Sequence, residues 1–112
     1  MANNIPFQIK GKTTRINAST VANTVAVLAD NPSNQLRIHN SGGEVFIRVG
    51  TSVTDVAAIP TAGTPEYGMS LHNNTTVIIT APAQASNTST CFVSAIVASG
   101  TATVYVTPGE GL

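Results

Sequence analysis

The stretch that decides the fold is QLRIHNSGGEVFIRVG, residues 35–50. On both sides of its central NSGG, aliphatic residues alternate with polar or aromatic ones, which is the period of two that a strand with one buried face requires. Glycine adopts positive φ without steric cost and asparagine tolerates it, so NSGG reverses the chain. We therefore predict a β-hairpin over residues 35–50. The residues predicted to face the core are Leu36, Ile38, Val45, Ile47 and Val49.

Further strands follow the same pattern along the chain. GMSLH and TTVIIT flank Asn73-Asn74, and TCFVSAIV and TATVYV flank residues 98–100, so both pairs are predicted as hairpins. Residues 21–29 are rich in Val and Thr and predict a buried strand, although their Ala content leaves a short helix open. IPFQI and TTRIN predict a weak N-terminal hairpin, and Pro6 confines its first strand to an edge or an arm.

Seven main strands with almost no helix indicate an all-β, single-domain antiparallel β-sandwich or jelly roll. We assign residues 1–20 to an N-terminal arm with the weak hairpin and residues 21–112 to the sandwich. If each strand crosses the sandwich once, the longer loops at 30–34, 51–67 and 81–90 share one end, where binding surfaces are often found. The closing PGEGL is expected to stop the sheet and form a tail.

The composition favours a protein that works inside an assembly. Only 9% of the 112 residues are charged, against about 25% in ordinary soluble domains, and the net charge is zero. A neutral, weakly charged surface tends to associate, whereas a freely diffusing protein usually keeps more charge. A Thr-rich monomer is the less favoured alternative.

The charges are unevenly distributed. Lys10, Lys12 and Arg15 give the first 29 residues a charge of +3, which is balanced by −3 in the remainder. Three cations without interleaved aromatic residues are too few for a nucleic-acid footprint, so we expect an acidic protein surface as partner and no direct nucleic-acid contact. A solvated basic turn is the alternative.

The sequence predicts no catalytic residue, no metal site and no cofactor. His39 and His72 lack ligand spacing, the acidic residues are scattered singly, and no glycine-rich phosphate loop precedes a helix. Cys91 stands alone in an apolar run, which is typical of a buried, inert thiol. Without a signal segment or a membrane-length apolar run, we expect a soluble protein made in the cytosol.

Tyr67 is the single aromatic residue of the long-loop region, so it is a candidate interface anchor; the alternative is that its ring caps the core. Phe46, Phe92 and Tyr105 lie opposite the main aliphatic faces of their strands, as a second buried face or an apolar outer patch would require. The candidate interface residues are Lys10, Lys12, Arg15, Arg37, Arg48 and Tyr67.

Three stretches carry a resemblance to a known family. LRIHNSGGEVFIRVGTS, the segment from Gly63-Thr64-Pro65 to Gly68-Met69, and SAIVASGTATVYVTPGEG are similar to small structural proteins encoded near the capsid genes of tailed bacteriophages. In particular they resemble the capsid decoration, or cement, proteins of short-tailed phages. The resemblance covers residues 35–112 and extends more weakly to the N-terminus.

The resemblance implies a non-enzymatic virion protein with a jelly-roll-like fold. Such a protein binds the capsid exterior in many copies and bridges neighbouring subunits of the major capsid protein, and the family offers no catalytic residues. We expect self-association as a dimer or trimer on the shell and no membrane contact. The alternative is a tail-associated or carbohydrate-binding β-sandwich module, and a hydrolase ranks third.

Overall fold

The structure is a computed structural model that describes residues 8–9, 11–27, 33–85 and 91–110. This part of the chain contains β-strands and no helix. In chain order the strands are β1 (Gln8–Ile9), β2 (Thr14–Ala18), β3 (Asn23–Ala26), β4 (Ser33–Gly42), β5 (Val45–Gly50), β6 (Met69–Leu71), β7 (Thr75–Ala85), β8 (Phe92–Ile96) and β9 (Ala102–Glu110).

The strands form two antiparallel sheets. Sheet A has the order β1/β2, β9, β4, β7, and sheet B has the order β3, β8, β5, β6. Because β1 and β2 both pair with β9, they form one interrupted edge strand, and each sheet is four strands wide. Two such sheets packed face to face confirm the predicted all-β sandwich, and the strand order is that of a jelly roll.

The three hairpins predicted around the tight turns are wrong. β4 pairs with β7 and β9, whereas β5 pairs with β6 and β8, so the NSGG turn carries the chain from sheet A to sheet B. The turn at Asn73-Asn74 and the turn at residues 98–100 cross between the sheets in the same way. The longest connection among the described residues, 51–68, joins neighbouring strands of one sheet, β5 and β6.

The two termini of the sandwich also differ from prediction. β1 and β2 do not pair with each other, and Ile16 of β2 is fully buried, so part of the predicted arm belongs to sheet A. Pro108 and Gly109 lie buried in β9 instead of stopping the sheet. Residues 81–85, predicted as loop, extend β7.

The core lies between the two sheets and uses the predicted alternation. Of the five residues of the 35–50 stretch that we expected inside, Val49 is half-buried and the others are buried. The remaining fully buried aliphatic residues include Ile16, Val27, Val93, Ala95, Val104 and Val106. The outward positions of Phe46, Phe92 and Tyr105 are confirmed as well.

Asn40 is buried within this core and ties two sheet crossings together. Its side-chain Nδ2 donates to the backbone oxygens of Gly43 at 2.8 Å, His72 at 2.9 Å and Leu71 at 3.2 Å. Asn73 Oδ1 in turn accepts from the Gly42 amide at 3.1 Å. The tight turns therefore form one hydrogen-bonded end of the sandwich.

The other end receives the strand termini that flank the longer loops, as predicted. The registers align Ala26 with Phe92 and Phe92 with Gly50 in sheet B, and Ser33 with Ala85 in sheet A. Much of the predicted loops at 30–34 and 81–90 lies outside the described residues. Residues 51–68 are described, and they lack any regular strand or helix.

Candidate interface surfaces

The six predicted interface residues do not form one surface. Lys10 lies outside the described residues, and Lys12 is exposed between β1 and β2. Arg15 and Arg37 lie on the outer face of sheet A, whereas Arg48 and Tyr67 lie on the outer face of sheet B and its loop. The structure thus assembles two groups on opposite sides of the sandwich.

The first group, which we call the arginine face, consists of Arg15, Arg37, His39 and Tyr105. Tyr105 in the central strand β9 lies opposite Arg15 of β2 and opposite His39 of β4. The rings of His39 and Tyr105 are stacked, with their centroids 6.5 Å apart. His39 Nδ1 and Thr76 Oγ1 share a 2.7 Å hydrogen bond that fixes the imidazole from the other side.

The two guanidinium groups of the arginine face have no ion-pair partner among the described residues. Arg15 Nε donates to Asn17 Oδ1 at 3.0 Å, and neither Arg15 nor Arg37 forms an ion pair within the described residues. Of the described acidic residues, Glu44 lies in a turn, Asp55 and Glu66 lie in the long loop, and Glu110 lies at the end of β9 opposite Gln8. Since guanidinium groups bind carboxylates with paired donors, this face suits an acidic partner.

The second group is organised by residues 51–68, which we call the covering loop because it folds over the outer face of sheet B. Ser94 points outward from β8 yet is fully buried, and its Oγ accepts the Ala57 amide at 2.8 Å. Asp55 accepts from the amides of Thr51 at 3.1 Å and Ser52 at 3.2 Å. These bonds hold the loop against the sheet.

Arg48 of β5 contacts the covering loop both in its first half and near its C-terminal end. Its Nη2 lies 3.3 Å from Asp55 Oδ1, its Nη1 donates to the Val56 oxygen at 3.4 Å, and its guanidinium carbon lies 4.8 Å from the Tyr67 ring centroid. Tyr67 is 78% exposed, so the expectation that its ring caps the core is wrong. The contact with Arg48 holds the Tyr67 ring in place while the ring remains exposed to solvent.

An open cleft of about 320 Å³ lined by Pro65, Glu66 and Tyr67 reaches the roughly 300 Å³ at which ligand pockets begin. A second cleft at Tyr67, of about 130 Å³, is smaller than that limit. Glu66 and Phe46 contribute to its lining. Within the described ranges, no three His, Cys, Asp or Glu residues come together as a metal site would require. The same ranges contain no helix of the length and apolarity needed to cross a membrane.

Cys91 is fully buried in the core, as predicted. Burial raises the pKa of its thiol well above the ordinary value, to about 11, because the surrounding apolar groups disfavour the thiolate. At neutral pH the side chain is therefore a protonated thiol, which is a poor nucleophile.

Sequence reasoning identified several members of both surfaces but missed how they are grouped. Alternation shows that Arg15, Arg37 and Tyr105 point outward, yet their proximity depends on pairings between strands at opposite ends of the chain. The roles of Asp55 and Ser94 were missed as well. The one available signal was Asp55 in the polar segment that follows Gly50, because an aspartate beside the end of a strand often accepts hydrogen bonds from backbone amides of a turn.

No protein-family model, no curated protein and no solved structure matches this chain.

Proposed function

We propose that this chain is a capsid decoration protein, which binds the outside of a phage shell in many copies and stabilises it by bridging major capsid subunits. The observation that supports this proposal most is the placement of two contact groups on opposite faces of one sandwich. A bridging protein needs two surfaces that point in different directions on a rigid body, and the arginine face and the covering loop meet that need.

The arginine face is the proposed shell contact. Its uncompensated Arg15 and Arg37 would pair with carboxylates on the capsid subunit, and Tyr105 between them supplies apolar area. Arginine and tyrosine are the residue types that most often dominate interface energies.

The covering loop is the proposed second contact, through Tyr67 and the neighbouring exposed Val53 and Val56. Each contact alone is small, but docking through one raises the effective concentration for the other. A protein of this size can therefore reinforce a shell without a large single interface.

The exposed Tyr67 beside Glu66 also favours a second candidate, a carbohydrate-binding or tail-associated module. A sugar ring stacks on an aromatic face while a carboxylate accepts its hydroxyl hydrogens. The decoration role ranks higher because one side of the Tyr67 ring is occupied by Arg48 and no second aromatic platform lies exposed in the covering loop.

Copy number on particles separates these candidates. Particles of the virus that encodes the chain, prepared without the protein, are incubated with purified protein, sedimented and quantified, and their heat stability is measured. We expect hundreds of copies per particle and a higher temperature of DNA release. A handful of copies would indicate a tail component, and glycan binding without particle binding would support the carbohydrate module.

A role of the basic N-terminal arm in particle binding can be tested with substitutions that leave the sandwich intact. Deleting residues 1–17 would remove most of β2, including buried Ile16, so loss of binding there would be ambiguous. The double change Lys10→Ala and Lys12→Ala leaves β2 intact. Reduced particle occupancy would support a role for the arm, and unchanged occupancy would exclude one for these two lysines.

A further inference from the structure

Strand β7 occupies one edge of sheet A, and no other described strand pairs with its outer side. It is the longest strand of the described chain, with 11 residues, TTVIITAPAQA, and it contains no charged residue. Ile78 near its middle is 48% exposed. The segment from Thr75 to Thr80 pairs regularly with β4 on one side. On its other side it presents a row of backbone donors and acceptors to any other strand.

The opposite edge of sheet A shows the usual protection. There β2 is short, is interrupted from β1, and carries the exposed Arg15. Natural proteins protect edges with such interruptions and charges, because an open edge recruits further strands. In β7 the two interruptions, Pro82 and a register shift against β4 between Thr80 and Ala85, both lie in its C-terminal half, so residues 75–80 form a regular and uncharged edge.

The inner side of β7 is also incompletely covered. The strand at the corresponding edge of sheet B, β6, is only three residues long. A cleft lined by Ile47, Val49, Met69 and Ile79 remains open beside the edge. An apolar cleft next to an unpaired edge favours a partner that brings both a strand and apolar side chains.

We propose that β7 pairs antiparallel with β7 of a second copy of this chain, about a two-fold axis at Ile78. This register places Ile78 opposite its own copy and exposed Thr76 opposite Thr80. On the inner side it places Val77 opposite Ile79. Each of these three pairs, over residues 76–80, matches aliphatic with aliphatic or Thr with Thr, which are favourable cross-strand combinations, and no like charges meet.

A second copy fits this edge because the segment is complementary to itself. A two-fold contact of this kind uses the same edge on both partners and closes at two subunits. Sheet A then continues across the dimer with both outer faces on one side, so the two arginine faces form one surface with four arginines. The pairing does not depend on capsid binding.

The first test measures mass in solution by sedimentation equilibrium. We expect the wild-type protein at twice the 11.4 kDa chain mass. Ile78→Lys places two ammonium groups opposite each other and should raise the dimer dissociation constant about tenfold or more. Val21→Lys is the control, because Val21 is 73% exposed in a different part of the fold. A monomeric wild type, or equal dissociation in both variants, would overturn the proposal.

Two further variants test the register. A mixture of Ile78→Lys and Ile78→Glu should restore dimers, which distinguishes charge repulsion from misfolding. Ile78→Cys should form an intermolecular disulfide on mild oxidation, whereas Thr76→Cys should not, because its counterpart is Thr80; buried Cys91 does not compete. Equal cross-linking at both positions, or none at position 78, would refute this register.

Discussion

Arg37 on sheet A and Arg48 on sheet B both project from the outer face of a strand, but their surroundings differ. Arg37 is exposed and has no ion-pair partner within the described residues, whereas Arg48 bonds Asp55 and Val56 and lies against Tyr67. One face of the sandwich thus leaves its charge available to a partner, and the other uses its charge to hold its own loop. An outward arginine is therefore a contact candidate only if the fold has not already used it.

Close backbone approach makes the covered face possible. At Gly68 φ is +118°, and a Cβ there would collide with the Ile47 oxygen. At Gly50 a Cβ would collide with the Asp55 side chain. These two glycines let the loop leave β5 and return to β6 close to the sheet.

The largest expected effect comes from Gly68→Ala, which should disrupt the covered face. The collision with the Ile47 carbonyl and the positive φ together should lower the free energy of unfolding by about 3 kcal/mol or more. Gly63→Ala is the control, since Gly63 also has positive φ but open space around its Cα, so about 1 kcal/mol is expected. Urea denaturation measures both, and equal losses would contradict the proposed close approach.

A smaller effect is expected from Ser94→Ala. The Ala57 amide would lose its acceptor in a buried position, at a cost of about 1–3 kcal/mol. Chymotrypsin should then cleave after Tyr67 faster than in the wild type, because the loop opens more often. Ser70→Ala on the same sheet removes an exposed hydroxyl and should change neither measurement; matching behaviour of the two variants would exclude Ser94 as the loop anchor.

The smallest expected effect on stability is the difference between replacing Arg48 and replacing Arg37. Arg48→Ala removes a half-exposed ion pair and a cation–π contact, so we expect a loss of about 1 kcal/mol. Arg37→Ala should stay within about 0.5 kcal/mol of wild type, as surface substitutions without partners do. Thermal unfolding of both variants tests this difference in stability. Equal stability of the two variants would show that the contacts of Arg48 contribute no more than those of Arg37.

The sequence allowed the fold class and the buried positions to be predicted but not the strand partners. The NSGG turn reverses the chain whether the next strand pairs beside β4 or crosses to the opposite sheet, and the alternation of Leu36, Ile38, Val45 and Ile47 is the same in both cases. The choice depends on contacts between distant segments, such as β4 with β9. The division of the tight turns and the longer loops between the two ends of the sandwich was nevertheless correctly predicted. It depends only on each connection reversing the chain direction, not on which strands pair.

The candidate surfaces were predictable to a similar degree. Outward positions follow from period two, so Arg37 was found as a single residue. Arg15 was found from the basic charge of the N-terminal region, and Tyr67 as the single aromatic residue of the long loop. Their grouping was not, because Arg15 meets Tyr105 only through the pairing of β2 with β9. The bond between Ser94 and the covering loop was also beyond local patterns, since an outward serine on a strand normally indicates solvent.

The most direct measurement of the central claim is particle occupancy of Arg15→Ala with Arg37→Ala, compared with Ala98→Glu with Ser99→Glu. Both double variants change the net charge by −2, but the second pair lies exposed at the tight-turn end. We predict that the first variant loses about tenfold or more in affinity for the shell while its thermal stability stays unchanged, and that the second binds as wild type does. Equal binding of both variants, or equal loss in both, would contradict docking through the arginine face.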